Sequence, residues 1–205
     1  MLNKTENIKQ HAIRAAKQAF QIQADCLKDA FDYIDQTAFE KAIEVLKYAP
    51  RIAASGCGHT GIACQHFAHL MCCIERPARF ISPAEAVHGG TGYLQKGDVM
   101  VLASRGGMTS ELLPIMKICK TKGVTVIAVT ENTESFLAKD ADIVIKMYVT
   151  CETDRHNCQG TTSHTVVNVI FDAIQAALIE ETGYEVDKFA LVHPGGAVGK
   201  RLNEK

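Results

Sequence analysis

Val99-Met100-Val101-Leu102-Ala103-Ser104-Arg105-Gly106-Gly107-Met108-Thr109-Ser110-Glu111 reads as a buried strand, a loop and the start of a helix, and this reading decides the fold. Five apolar residues in a row, just after the turn signal Gly97-Asp98, are what a parallel strand covered on both faces requires. The two glycines let the following loop turn its N–H groups inward. Hydroxyls at Ser104, Thr109 and Ser110 stand beside the positive end of the coming helix. Such a loop suits an anion, above all a phosphate.

Working outward, the same unit recurs. Arg51-Ile52-Ala53-Ala54 begins a first strand that runs into Ser55-Gly56-Cys57-Gly58-His59-Thr60-Gly61, with a helix over 60–73. Further strands are expected over 78–81, 125–130 and 141–146, with helices over 112–122 and 135–138. Alternating strands and helices predict an α/β fold: a five-stranded, mostly parallel, doubly wound sheet with helices on both faces. Ligands of such sheets bind beyond the carboxyl ends of the strands, near the switch in strand order. Ser55-Gly56, Ser104-Arg105, Thr130-Glu131 and the segment after Val149 would gather there.

At 205 residues the chain suffices for one such domain with a substantial core. A net charge of −1 and the lack of any basic run give no long-range attraction to nucleic acid or an anionic membrane, which points to a small-molecule partner. No continuous apolar segment reaches the roughly 20 residues that span a bilayer, and Met1 to Gln10 is too polar for a signal peptide; the expected location is the cytoplasm. Its 8 cysteines form no C-x-x-C pair and suit free thiols.

Apolar residues at helical spacing from Ile8 to Tyr33 predict a long helix ahead of the core, followed by a shorter one over 39–47. A long helix outside a βαβ repeat suits packing against another subunit. Residues 1–50 are accordingly read as helices of the same domain that serve assembly, and residues 51–205 as the ligand-binding α/β domain. After an irregular segment over 150–160, a strong helix is expected from Thr161-Thr162-Ser163 to Glu181, the three hydroxyls acting as caps first and phosphate ligands second. The tail from Phe189 to Leu202 is too structured in composition to be a frayed end.

Gly56, Gly58 and Gly61 match G-x-G-x-x-G and invite a dinucleotide reading. The second strand offers no acidic residue at its tip for a ribose, so a phosphate or sugar hydroxyl suits these glycines better. No cofactor is expected. His66 and His69, near Cys72 and Cys73, could in principle ligate a metal, but core or interface packing is preferred, and no metal site is assigned.

Several separated motifs then agree. Gly56-Cys57-Gly58-His59-Thr60-Gly61, Pro83-Ala84-Glu85-Ala86-Val87-His88-Gly89, the loop from Ser104 to Glu111, Thr161-Thr162-Ser163 and Phe189-Ala190-Leu191-Val192-His193-Pro194-Gly195-Gly196-Ala197-Val198-Gly199 together resemble the sugar isomerase (SIS) domain, in its arabinose-5-phosphate isomerase branch. The resemblance implies a doubly wound fold, phosphosugar binding and commonly a tetramer whose sites lie where subunits meet. Longer relatives carry paired CBS modules beyond the position of Lys205, so sensing through such modules is not expected here. The family usually has lysine where His59 stands, asparagine and serine at Arg105 and Gly106, an acidic residue at Met108 and proline at Gly160. Its catalytic set maps to His59, Glu111, Glu152 and His193, with His88 close by.

On this reading Ser55, Gly56, Gly58, Ser104, Gly106, Gly107, Thr109 and Thr161, Thr162 and Ser163 hold the phosphate or sugar, and Arg105 adds a charged contact. The expected reaction interconverts an aldose phosphate and a ketose phosphate, arabinose 5-phosphate and ribulose 5-phosphate being the leading pair. It needs a base near carbon, an acid near oxygen and a firm hold on the phosphate. Glu111 and Glu152 are the carboxylate candidates for proton transfer; His193 and His88 are the candidates for the oxygen-side shuttle or ring opening, and His59 stands where the family places a cationic lysine. Histidine at its reference pKa is only about a quarter charged at pH 7, unlike lysine, so position 59 tests the reading. Taken alone, Glu111 could be a first-turn carboxylate favoured by a helix dipole and Glu152 a solvated loop charge. Two other functions stay open: a non-catalytic phosphosugar-binding protein, and an isomerase of another sugar phosphate such as a hexulose phosphate.

Overall fold

A computed structural model describes residues 2–204, with side chains from Lys9 onward. Five strands, β1 (Ile52–Gly56), β2 (Ala78–Phe80), β3 (Val99–Ala103), β4 (Thr125–Thr130) and β5 (Ile143–Lys146), form one sheet in the order β2-β1-β3-β4-β5. All four pairings are parallel, with Ile52 opposite Val99 and Val99 opposite Thr125. The strand order reverses at β1, so the crevice between the carboxyl ends of β1 and β3 is where a ligand is expected. The loop after β3 opens into that crevice.

Alternation along the strands splits the core in two. Ile52, Ala54, Val99, Val101 and Ala103 face α2 (Gln36–Tyr48), α3 (Gly58–Cys73) and α7 (Thr161–Thr182). Ala53, Met100, Leu102, Val126 and Ala128 face α4 (Pro83–Ala86), α5 (Leu113–Lys122) and α6 (Phe136–Asp140). Every residue of β3 is buried, as its unbroken apolar run requires. α7 is long and apolar enough by composition to cross a bilayer, but Val166, Val167, Ile170, Phe171, Ile174 and Leu178 are buried in the first core layer, where Phe171 packs on Phe67 with ring centroids 4.6 Å apart.

The long first helix, α1 (Leu2–Ala30), continues as a 3₁₀ turn over Phe31–Tyr33. Its second half is tied to the body: Thr165 donates to Gln23 at 2.6 Å, and Tyr33 stacks on Tyr148 at 3.8 Å. On its outer face Ile13 and Phe20 are exposed, Phe20 at 82%. α2 starts at Gln36, three residues before the expected position, because the Asp35 carboxylate caps it by accepting from the Ala38 amide at 2.8 Å. β5 starts at Ile143 rather than at residue 141. Asp142 just before it turns its carboxylate to the Val126 amide, 2.8 Å away. The tail forms α8 (Val186–Val192) and α9 (Gly196–Asn203).

The start of α7 corrects one expectation. Its N-cap is Gly160 in the left-handed conformation, which supplies no side-chain cap, so Thr161, Thr162 and Ser163 lie inside the first turn. The cap comes from elsewhere: the Glu152 carboxylate accepts from the amides of Thr162 (2.7 Å) and Ser163 (3.2 Å).

Candidate functional site

At the carboxyl ends of β1 and β3 lies an open cleft of about 330 Å³. Cys57, His59 and Thr60 from the first loop line it, together with Ser104, Arg105, Gly106 and Thr109 from the second, and Glu152, Asn157, Cys158, Gly160 and Ser163 from the segment leading into α7. Larger grooves lie elsewhere, including one of about 490 Å³ beside His69 and Phe189, but that one is lined mainly by apolar side chains. Chemistry, not size, singles out the smaller cleft.

The loop after β3 is held in shape by its own hydroxyls. Ser104 Oγ lies 2.8 Å from Thr109 Oγ1 and accepts from the Gly107 amide at 3.1 Å. Arg105 to Thr109 fall between the end of β3 and the 3₁₀ turn at Ser110–Leu112, so their amides belong to neither a strand ladder nor a helix. Gly107 takes a φ of +64° and packs so tightly on Ser135 and Thr130 that a side chain would overlap them. This is a loop of fixed geometry.

Arg105 does not stand free to meet an anion. Its Nε donates to Glu131 at 2.7 Å and its Nη1 to Glu152 at 2.6 Å. Burial works against its charge, but the two carboxylates outweigh this and raise its pKa. Glu131, at the tip of β4, also accepts from the Val149 amide at 3.2 Å and so fixes the segment beyond β5. Glu131, expected at the strand tips but not among the named site residues, stands behind the cleft as the partner of Arg105. Its position at a strand tip beside Thr130 was the available signal.

Glu152 is no solvated loop charge: only 3% of it is exposed. Burial pushes its carboxyl pKa up, yet hydrogen bonds from Ser163 and Thr162 and the Arg105 charge hold it below the ordinary range. Thr161 adds a hydroxyl bond at 3.2 Å. The positive end of α7 is thus occupied by a carboxylate of the same chain. Asn157, another residue absent from the expected set, accepts from the Glu152 amide at 2.6 Å. Asp154 folds the same segment over its carboxylate by accepting from the Gln159, Cys158 and His156 amides, and its pKa falls to about 2.

The other expected residues divide. His59 is exposed at the cleft. Glu111 is exposed in the 3₁₀ turn, close enough to raise the Cys57 thiol pKa together with burial; its own carboxyl is lowered by its own amide and by Ser110, whose hydroxyl donates at 2.9 Å. Ser55 and Thr162 are fully buried, and their hydroxyls meet no partner among the described residues, so neither reaches the cleft. Gly56 is wedged against the Ala103 carbonyl and Thr60; Gly58 is exposed beside the cleft. His88 follows α4, which packs on the turn that carries Glu111.

His193 lies far off. It ends α8, stacked on Phe189 at 4.9 Å, and Phe189 packs by the carboxyl ends of α3 and α7, whose amino ends form the cleft. Sixteen helical residues separate those ends of α3, about 24 Å. Away from the cleft, His66 pairs with Asp172 at 3.2 Å and His69 with Cys73 at 3.6 Å. Among the described residues no three His, Cys, Asp or Glu side chains converge on a metal-binding point.

Comparison with known proteins accords with this geometry. Residues 46–177 match the SIS domain. Arabinose 5-phosphate isomerase KdsD of Pseudomonas aeruginosa is 34% identical over 202 residues, covering 98% of this chain and 61% of the relative. Arabinose 5-phosphate isomerase KpsF of Escherichia coli is 30% identical, covering 98% of this chain and 62% of its own. The chain therefore spans about three fifths of the length of these curated relatives. An E. coli CFT073 protein solved in complex with arabinose 5-phosphate superposes with a TM-score of 0.85 at 29% identity, over 90% of this chain and 98% of that one.

Proposed function

The chain belongs to the SIS domain family, and from that premise we propose that it is an aldose–ketose isomerase of phosphosugars, with arabinose 5-phosphate and ribulose 5-phosphate as its pair. One observation carries the reading: a loop rich in hydroxyls and free amides and the exposed imidazole of His59 share one cleft at the strand-order switch, with the Glu111 carboxylate beside it, in a chain whose relatives include named arabinose 5-phosphate isomerases and a structure with arabinose 5-phosphate bound.

In this mechanism the ester phosphate rests on the hydroxyls of Ser104 and Thr109 and the amides of residues 105, 106, 108 and 109, with Ser163 lining the same cleft. Gly56, Gly58, Gly106 and Gly107 shape the surface that the sugar approaches. Thr161 and Thr162 act indirectly, through the Glu152 cap. The Glu111 carboxylate takes the proton from C2 of the aldose and returns it to C1 of the enediol, while an imidazole moves the second proton between O2 and O1. Glu111 suits the base because its carboxylate is exposed and near the cleft. Glu152 is committed to Arg105 and α7, so it sets the shape and charge of the wall. Glu111→Gln and His59→Ala should each lower kcat by about 10² to 10⁴ while the fold persists.

His193 and His88 act at the oxygens or in ring opening, His193 from a neighbouring subunit. The assembly is a homo-oligomer, a dimer or tetramer built partly on the helices of residues 1–50, with its sites at subunit interfaces. The exposed Ile13 and Phe20 support that role for α1. The protein works in the cytoplasm on a small substrate, without nucleic acid or membrane.

The occupied positive end of α7 favours a second reading, a phosphosugar-binding protein without catalysis. Purified protein incubated with a panel of sugar phosphates in deuterated water separates the two. Exchange at C2 of arabinose 5-phosphate with formation of ribulose 5-phosphate is expected. Thermal stabilisation without exchange selects the binder, and neither effect with any five-carbon sugar phosphate overturns the proposal.

A further inference from the structure

His59 is the cleft's exposed imidazole, yet among the described residues no hydrogen bond fixes its ring. Packing must therefore orient it. On one side lies Gly160, where an added Cβ would come within 3.0 Å of His59 Nδ1, with Cγ and Cε1 at 3.6 and 3.7 Å. The Nδ1 edge faces Gly160, and Nε2 is the outward nitrogen. On another side stands His164, its ring 5.8 Å away and tilted by 57°.

His164 is itself locked. Its Nδ1 is 3.0 Å from the His59 carbonyl, which can only accept, so Nδ1 carries the hydrogen. Its Nε2 is 2.9 Å from the Asn168 amide nitrogen, which also donates to the His164 carbonyl at 2.9 Å, so Nε2 is the acceptor. Both partners demand the same neutral tautomer. This bridge ties the first turn of α7 to the first turn of α3.

We propose that Gly160 and His164 are positioning residues for His59: together they form the slot that holds its imidazole over the cleft. The functional consequence rests on the isomerase reading; the slot itself rests on geometry alone. Two measurements keep these apart. In a double-mutant cycle read by thermal unfolding, Gly160→Ala carries backbone strain in any background but crowds a ring only when His59 is present. Its loss of Tm should be clearly smaller in a His59→Ala background than in the wild type, and equal losses would overturn the slot.

In the isomerase assay, His164→Ala should lower kcat about tenfold through misorientation, with KM for the sugar phosphate kept within about twofold. His164→Asn, whose amide can donate to the same carbonyl, should recover most of the rate. Unchanged kcat in His164→Ala, or a loss that Asn does not relieve, would overturn the positioning role. If the wild-type protein turns over no sugar phosphate, the isomerase reading falls by that result, and the thermal cycle still decides the slot.

Discussion

Glu152 shows how one side chain can be mistaken from its neighbours in sequence. Beside Asp154, Arg155 and His156 it reads as a solvated charge, but its carboxylate receives four donors, from Arg105, Thr161, Thr162 and Ser163. Removing one partner of a buried pair costs about 3 to 5 kcal/mol, because the other charge is left uncompensated. Glu152→Ala should therefore destabilise the protein by about 3 kcal/mol in chemical unfolding, and Glu152→Gln by less, since an amide oxygen still accepts from α7. The sign of the pH effect follows from the lowered carboxyl pKa. Stability from Glu152 is fully present above its ordinary value of 4.5 and is lost as pH falls through the depressed folded value. Asp154 adds loss of the same sign between 3.8 and about 2. Melting curves from pH 7 down to pH 3 should show wild-type Tm falling below about pH 4.5, with a shallower fall in Glu152→Gln. Equal slopes would mean that Glu152 is not the acid-sensitive group.

Among the elements, the loop from Ser104 to Thr109 should tolerate least. Gly107 has a φ of +64°, and a methyl there would overlap the Ser135 hydroxyl, which caps α6 by accepting from the Ala138 amide at 3.3 Å. Strained left-handed backbone alone costs about 1 to 3 kcal/mol. Gly107→Ala should lower Tm sharply and weaken sugar-phosphate stabilisation together, whereas Gly106→Ala, whose Cβ meets nothing within 4 Å, should leave Tm near wild type. The same loop explains what was legible in the sequence. An unbroken apolar run followed by glycines and hydroxyls states strand, turn and ligand site within a dozen residues, and β3 falls where that run predicts. Elements set by distant partners are not written locally. The cap of α7 comes from ten residues upstream across irregular chain, and Arg105, which invites an anion in the sequence, meets Glu131 from another strand and Glu152 from beyond a third. Side-chain pairing over such separations leaves no periodic trace.

The whole molecule poses the question of how His193 could serve the site at all. Within one chain it sits at the carboxyl ends of α3 and α7, while the cleft sits at their amino ends, and a rigid helix between them allows no approach. If His193 takes part in the reaction, it must reach the cleft of another copy, whose binding would also cover apolar surface such as Phe20 on α1 and Leu191 on α8, exposed at 82% and 75%. That arrangement makes a strong demand on mixtures. Glu111→Gln and His193→Ala should each be nearly inactive as pure proteins with Tm close to wild type, since neither side chain lies in the core. Co-assembled in equal amounts, they should regain activity, because some sites then draw an intact Glu111 from one subunit and an intact His193 from its neighbour. Random assortment restores about a quarter of the sites when each is built from two chains. Recovery near that level, absent when the proteins are mixed without exchanging subunits, supports a site shared between copies. No recovery after verified exchange would confine catalysis to single chains and remove His193 from it.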